Sequence, residues 1–260
     1  MNMKANKDLY EYDTNLTRSN RDRLQRNPNL LWWYCNLYKC QFKEICDIPG
    51  KVILEIGSGT SPLKLFYKDV ITSDVLNLDY IDHTFDCHSI DTFDKIPDAS
   101  VDIITLTNVL HHLKEPLTFL IKAAAKLKPE GQVIFAEPYF STVSRVIYKY
   151  LHHEPSVFNI SSPVLEEISG PLSSANMAIP YLVFFKRDDW RKPLNTVFSF
   201  SNKEAIYYSS LSYMITGGIS RRIPIPHLLY KGIFNFDLWL ARTFPKVFSS
   251  FFIMKLRKKR

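Results

Sequence analysis

The sequence predicts an α/β fold: a doubly wound, mainly parallel sheet with helices on both faces, preceded by an N-terminal helical segment and followed by a C-terminal helical and cap extension. Three observations predict it. Short apolar, β-branched runs alternate with helical stretches between residues 50 and 139. A glycine-rich turn, Gly57-Ser58-Gly59, closes the first run, where the backbone must turn sharply. Acids stand at the ends of the first two runs, Glu55 and Asp74, nineteen residues apart. With 260 residues, 46% hydrophobic and 23% charged, the chain can bury one sizeable core but not two equal domains.

In chain order, residues 1–49 read as the helical segment. Arg18, Arg21, Arg23 and Arg26 cluster before Asn27-Pro28 and are expected on a solvated helix face, a substrate carboxylate or phosphate being the alternative partner. From Asn29 to Cys46, apolar residues such as Leu30, Trp33, Leu37 and Ile45 recur at three- and four-residue steps, which predicts an amphipathic helix against the core. Strands are expected at Val52–Ile56, Val70–Ser73, Val101–Leu106 and Gln132–Glu137. A helix is expected over Leu117–Leu127, opened by Pro116 and stopped by Lys128-Pro129-Glu130-Gly131. Residues 50–139 thus form the core. Residues 140–178 read as an inserted cap over a ligand site, because α/β sheets bind ligands beyond the carboxyl ends of their strands. Ile179–Phe185 and Thr196–Phe200 read as an antiparallel edge pair completing the sheet (179–200), and 201–260 as a helical extension with a basic tail.

Composition excludes several function classes. Lys255, Arg257, Lys258, Lys259 and Arg260 supply five of the formal net charge of +7, so the body is nearly neutral and no nucleic-acid partner is expected. Cys35, Cys40, Cys46 and Cys87 lack metal-binding spacing and read as free thiols. A polar start and the lack of any apolar run near the ~20 residues of a membrane span predict a cytoplasmic protein. From His227 to Arg260, aromatics interleave with Lys and Arg. A core-packing helix with a solvated tail is expected there, and the alternative is peripheral contact with the inner face of an anionic membrane.

Glycine-rich turns also hold dinucleotides, but that fingerprint wants a third glycine where this chain has Pro62. Glu55 would repel a pyrophosphate and suits a cationic sulfonium and ammonium. The ordered set Val52–Ser61, Asp74, Phe85-Asp86-Cys87, Ile96–Asp102, Thr107–Leu113 and Leu127–Gln132 resembles the class I S-adenosylmethionine-dependent methyltransferases over residues 50–139. The resemblance implies a Rossmann-like fold with S-adenosyl-L-methionine as cofactor. Glu55, Gly57, Ser58 and Gly59 would form its loop, with Asp74 and Val75 at the ribose. Asp86 and Cys87 would lie beside the adenine and Asn108 at the methionine end, with His111 a further cofactor-binding residue that, like His112, faces roughly where an acceptor would sit. Ser61 departs from the family's third glycine, though a small residue still permits close approach.

Methyl transfer is an in-line displacement, so such an enzyme mainly positions donor and acceptor and, for a hydroxyl, removes a proton; no metal is required. His112, Glu137 and His153 are the candidate catalytic residues, and Arg145 is a candidate for an anionic substrate group. The alternatives are structural: His111 packing, His112 capping its turn, and His153 pointing away from Glu154. Ser144–Pro155, Ala175-Asn176, Lys186-Arg187-Asp188 and Ser212–Ser220 resemble bacterial methyltransferases of surface polysaccharides and lipid-linked glycans, which implies O-methylation of a small-molecule or glycan substrate. A noncatalytic scaffold and an RNA methyltransferase are the competing functions, the latter expected to bind RNA in a salt-sensitive manner.

Overall fold

The four apolar runs between residues 50 and 139 form parallel strands, as β-branched content requires of a sheet covered on both faces. The computed structural model describes residues 3–42, 50–152, 154–166, 168, 170–209, 211–219 and 221–260. Along the chain the elements are α1 (Met3–Gln25), α2 (Pro28–Gln41), β1 (Ile53–Ile56), α3 (Leu63–Phe66), β2 (Ile71–Asp74), β3 (His83–Thr84), β4 (Val101–Thr107), α4 (Pro116–Ala123) and β5 (Leu127–Pro138). They continue with α5 (Thr142–Leu151), α6 (Ala178–Phe185), α7 (Leu194–Val197), β6 (Phe198–Ser199), β7 (Ile206–Tyr208), α8 (Leu211–Ile215), α9 (His227–Thr243), α10 (Pro245–Phe248) and β8 (Phe251–Lys258). Short 3-10 turns lie at Cys87–Thr92, Leu110–His112 and Asn202–Glu204.

The strands make one sheet in the order β3-β2-β1-β4-β5-β8-β6, with β7 also paired to β8. β1 lies parallel between β2 and β4, with Leu54 opposite Ile71 and Ile104. β8 is antiparallel to β5, in register from Gln132 with Arg257 to Pro138 with Phe251. Alternate residues leave the sheet on opposite sides. Ile103, Ile134, Ala136 and Ile253 pack with Trp33 and Leu37 of α2 and Phe234 of α9. Ile104, Leu106, Val133, Phe135 and Met254 pack on the other side with Phe119 and Leu120 of α4 and Phe184 of α6. The N-terminal helices are separated by Asn27, which caps α2 by accepting from the Leu30 N–H, while Pro28 occupies the first turn.

Ile179–Phe185, expected as a strand, lies instead in helix α6. Every residue from Ala178 to Phe184 is buried, so no polar face marks the period that separates a buried helix from a buried strand. Pro180 falls in the first turn, where a missing N–H costs no intrahelical bond. Thr196–Phe200 contributes only the two residues of β6. The sheet is completed by β8, within the region read as a helical extension with a basic tail. Its first four residues are all buried, because a strand flanked on both edges and covered on both faces shows no alternation. β7 likewise interrupts that region, which among the described residues is helical only at α8, α9 and α10 beyond the short turn at Asn202–Glu204. α4 stops at Ala123 rather than Leu127 because the chain must turn into β5, whose first pair is Leu127 with Val101. α2 ends at Gln41; Ile45 and Cys46 lie outside the described residues.

Candidate active site

A cavity of about 970 Å³ opens at the carboxyl ends of β1, β2 and β4, where a parallel sheet presents its loops. Gly57 takes φ +75°, and a Cβ there would come within 2.4 Å of Val109 Cγ2. A Cβ on Gly59 would lie 2.6 Å from Thr17 Cγ2 and 3.0 Å from Asp74 Oδ2. The turn is therefore open only because both residues lack side chains. At the end of β2, the Asp74 carboxylate accepts from the N–H groups of Gly59 (2.9 Å) and Leu76 (3.0 Å).

Of the residues expected around the cofactor, Gly57, Gly59, Asp74, Val75, Asp86, Cys87, Asn108 and His111 line this cavity. Glu55 and Ser58 stand behind the turn. Ser58 Oγ donates to Glu55 Oε2 at 2.8 Å, and Ser61 Oγ donates to Oε1 at 2.5 Å. Ser61, in place of a glycine, thus braces the loop. Burial raises the Glu55 carboxyl to about 7, against the opposing pull of these two hydroxyls.

At the acceptor end, Glu137 is fully buried at the end of β5. Its Oε1 accepts from the N–H groups of Val109 and Leu110 at 2.9 and 2.7 Å, and its Oε2 lies 2.5 Å from His111 Nδ1. Glu137 does not line the cavity; it holds the Leu110–His112 turn from behind. His111 Nε2 lies 3.3 Å from Glu154 Oε2, and His112 Nε2 lies 3.9 Å from Glu154 Oε1. His112 and Glu154 both line the cavity. His153 lies outside the described residues.

A family profile described as "Methyltransferase domain" matches residues 16–173. The chain belongs to that family. This methyltransferase chain is 28% identical over 102 residues to the ubiquinone biosynthesis O-methyltransferase of Vibrio campbellii, a match covering 39% of each protein. It thus spans about two fifths of the length of that curated relative. Similar solved structures include a SAM-dependent methyltransferase from Archaeoglobus fulgidus, at 15% identity over 86% of this chain and 94% of that one, with TM-score 0.45. Another is the N-methyltransferase NodS from Bradyrhizobium japonicum in complex with S-adenosyl-L-homocysteine, at 12% identity, 92% and 91% coverage and TM-score 0.44.

S-adenosylmethionine is the cofactor of this methyltransferase fold, and the cavity fits it. Asn108 holds φ +56°, which asparagine tolerates better than most residues, and its Oδ1 is buried with no hydrogen-bond partner among the described residues. A bare acceptor beside the glycine turn suits the ammonium of the methionine end. Asp74 offers its carboxylate to ribose hydroxyls. The volume stands at the upper end of ligand pockets, about 300–1,000 Å³, leaving space for an acceptor beside the donor.

His111 and His112 differ in charge state. Burial opposes a charge on His111, yet the carboxylates of Glu137 and Glu154, one on each ring nitrogen, raise it to about 10, so it is an imidazolium at neutral pH. Burial first, and that neighbouring cation second, push His112 down to about 4, so it is neutral. His112 Nδ1–H donates to the Ser174 carbonyl at 2.9 Å, which leaves the lone pair on Nε2, the nitrogen toward Glu154. The donor atoms of His111, His112 and Glu154 lie within 4.8 Å of one another, a spacing a metal ion can use. Asp86, Cys87 and His88 have similar spacing. There burial pushes the Cys87 thiol up, away from the thiolate a metal requires.

The sequence reading missed helix α1 as a wall of the site. Tyr10, Leu16, Thr17 and Asn20 line the cavity. Tyr10 Oη donates to the Val75 carbonyl at 3.0 Å and accepts from Asn77 N–H at 2.7 Å. Arg21, expected on a solvated face, donates to the Ser61 carbonyl at 2.8 Å and sits 4.3 Å over the Tyr80 ring. Asp13 ties α1 to the far wall by accepting from Leu172 N–H and Ser173 Oγ at 3.0 and 3.1 Å. The available signal was a polar stripe, Tyr10, Asp13, Thr17 and Asn20, at steps of three and four.

Proposed function

We propose that this chain transfers the methyl group of S-adenosylmethionine to a hydroxyl of a small molecule or a glycan or lipid-linked intermediate of surface-polysaccharide synthesis, with His112 as proton acceptor. The single observation that carries the proposal is His112 lining the cavity with Nδ1–H tied to the Ser174 carbonyl and Nε2 on the side of Glu154. When bound, the cofactor supplies an electrophilic methyl group on a sulfonium, so that a C–O bond forms as the C–S bond breaks. His112 Nε2 takes the hydroxyl proton, and Glu154, 3.9 Å away, offsets part of the repulsion that the His111 cation exerts on the new imidazolium. Glu137 keeps both histidines in place through two backbone N–H groups and His111. The closed floor of glycines and the α1 wall hold the donor in attack geometry.

Two further facts support the acceptor class. The relative from Vibrio campbellii is named for O-methylation. A side cavity of about 420 Å³ shares Tyr148, His152 and Glu154 with the main one and adds Arg145, whose guanidinium lies 4.9 Å over the Phe158 ring. A fixed guanidinium there suits a phosphate or carboxylate on the acceptor.

The test is incubation with labelled donor and fractionated cell extract, followed by mass analysis of the product. Label is expected in a glycan, lipid or small-molecule fraction. His112→Asn is expected to keep donor affinity and lose roughly 10²–10⁴ in turnover. Label confined to RNA would establish the nucleic-acid alternative, and donor binding without transfer to any fraction would establish a scaffold. Failure to bind S-adenosylhomocysteine by calorimetry would remove the donor site altogether.

A further inference from the structure

We infer that the face built by α5, α9 and α10 docks on an anionic lipid bilayer. The inference rests on the proposed methyl transfer only in narrowing the acceptor to an amphipathic molecule borne by that bilayer.

α9 buries Tyr230, Phe234, Asp237 and Ala241, and turns a second apolar face outward. Leu228 is 84% exposed, Phe236 61%, Trp239 54% and Phe244 50%. The rings form one patch: Trp239 stacks on Phe236 at 5.8 Å and meets Phe244 edge-on at 6.4 Å. α10 packs against both α9 and α5, where Val146, Tyr150 and Leu151 are exposed. Such large exposed apolar groups mark an interaction site.

Charge selects the occupant. Between residues 221 and 248 stand Arg221, Arg222, Lys231, Arg242 and Lys246 against one acid, Asp237. That acid is buried, where its carboxylate accepts from Leu211 and Ser212 N–H at 2.9 and 3.0 Å. α5 carries Lys149 and no acid, its Arg145 being turned to the side cavity. Exposed aromatic groups on segments whose charges are cationic apart from one buried acid match an interface of acyl chains and anionic headgroups. A second copy of the same face would bring like charges together. No helix among the described residues is long and apolar enough to cross a membrane, so the contact lies along the surface. The basic run near residue 260 is not the anchor: Lys258 and Lys259 donate to the carbonyls of Leu127 and Asn195, and Arg260 pairs with Glu130.

α5 connects this face to the site. Its opposite side gives Ile147 and Tyr148 to the cavity wall, and the chain beyond it gives His152 and Glu154. Docking therefore sets the acceptor end of the cavity beside the bilayer.

The experiment is co-sedimentation of the full chain with vesicles of phosphatidylglycerol and, separately, of phosphatidylcholine, with S-adenosylhomocysteine calorimetry in parallel. Binding is expected to phosphatidylglycerol, falling with added salt. The double variant Phe236→Asp/Trp239→Asp is expected to bind at least about tenfold more weakly, and Lys246→Glu about fivefold more weakly, both with unchanged circular dichroism and S-adenosylhomocysteine affinity. No sedimentation with phosphatidylglycerol, or equal binding to both lipids, overturns the inference. So does a dimer of the parent chain that the double variant converts to monomer, which would make the patch a self-interface. Loss of vesicle binding with intact S-adenosylhomocysteine binding leaves the proposed reaction standing, and the reverse result leaves the docking face standing.

Discussion

Replacing Glu137 with Gln tests the proton arrangement on which His112 depends. In the parent chain Glu137 Oε1 accepts from two backbone N–H groups, and its Oε2 accepts from His111 Nδ1–H. A glutamine keeps the first acceptor but presents an NH₂ to His111, so Nδ1 must give up its proton and the ring becomes neutral. One charge-assisted hydrogen bond is lost, worth about 1.5–3 kcal/mol. Its sign with pH is fixed by linkage. His111 is raised to about 10, so its contribution to stability is fully present below its unfolded value near 6.5 and fades as pH rises through about 10. Glu137→Gln should therefore lower the Tm by about 4 °C at pH 6 and hardly at all above pH 10. Neutral His111 also ceases to depress His112, whose pKa should climb from about 4 toward the ordinary histidine value. Imidazole NMR titration and melting curves at the two pH values measure both effects. An equal Tm loss at both pH values, or an unmoved His112 titration, refutes the reasoning.

Gly57→Val meets two penalties, a positive φ on a β-branched residue and overlap with Val109, together roughly 2–5 kcal/mol. Calorimetry should find no S-adenosylhomocysteine binding in a chain that still melts cooperatively. Asp74→Asn exchanges an anionic acceptor for a neutral one and should weaken that binding by roughly ten- to a hundredfold with unchanged circular dichroism. Phe252→Ala removes a fully buried ring that sits 4.9 Å from Phe185 and 6.0 Å from Phe135, at an expected cost of about 3–5 kcal/mol in chemical denaturation. A solvated tail at this position would show no loss.

What the sequence reveals here is what neighbouring residues encode. Ile53 to Gly59 announces a strand and a tight turn within a few positions, and Asp74 closes the next strand the same way. The parallel core and the glycine floor of the cavity were therefore legible. α6 and β8 were not, because complete burial erases the polar face that tells a helix from a strand: Ala178–Phe185 and Phe251–Met254 are equally apolar. The α1 wall escaped for the opposite reason. Asp13 and Thr17 are buried polar residues, so a search for apolar periodicity passes over them. His111, His112 and Glu137 were each visible as candidates, but their division into a cation, a neutral base and a brace depends on Glu154, which the fold brings in from a distant segment.

The partnership of β5 with β8 has a consequence for biogenesis. β5 leaves the ribosome with one long edge unpaired, and the segment that covers it is translated more than a hundred residues later. At about 5–20 residues per second, the nascent chain carries an open, apolar strand for roughly 5–25 s. Until β8 arrives, the backbone N–H and C=O groups along that edge of β5 lack their final partners, so pairing of this edge with another chain competes with completion of the sheet.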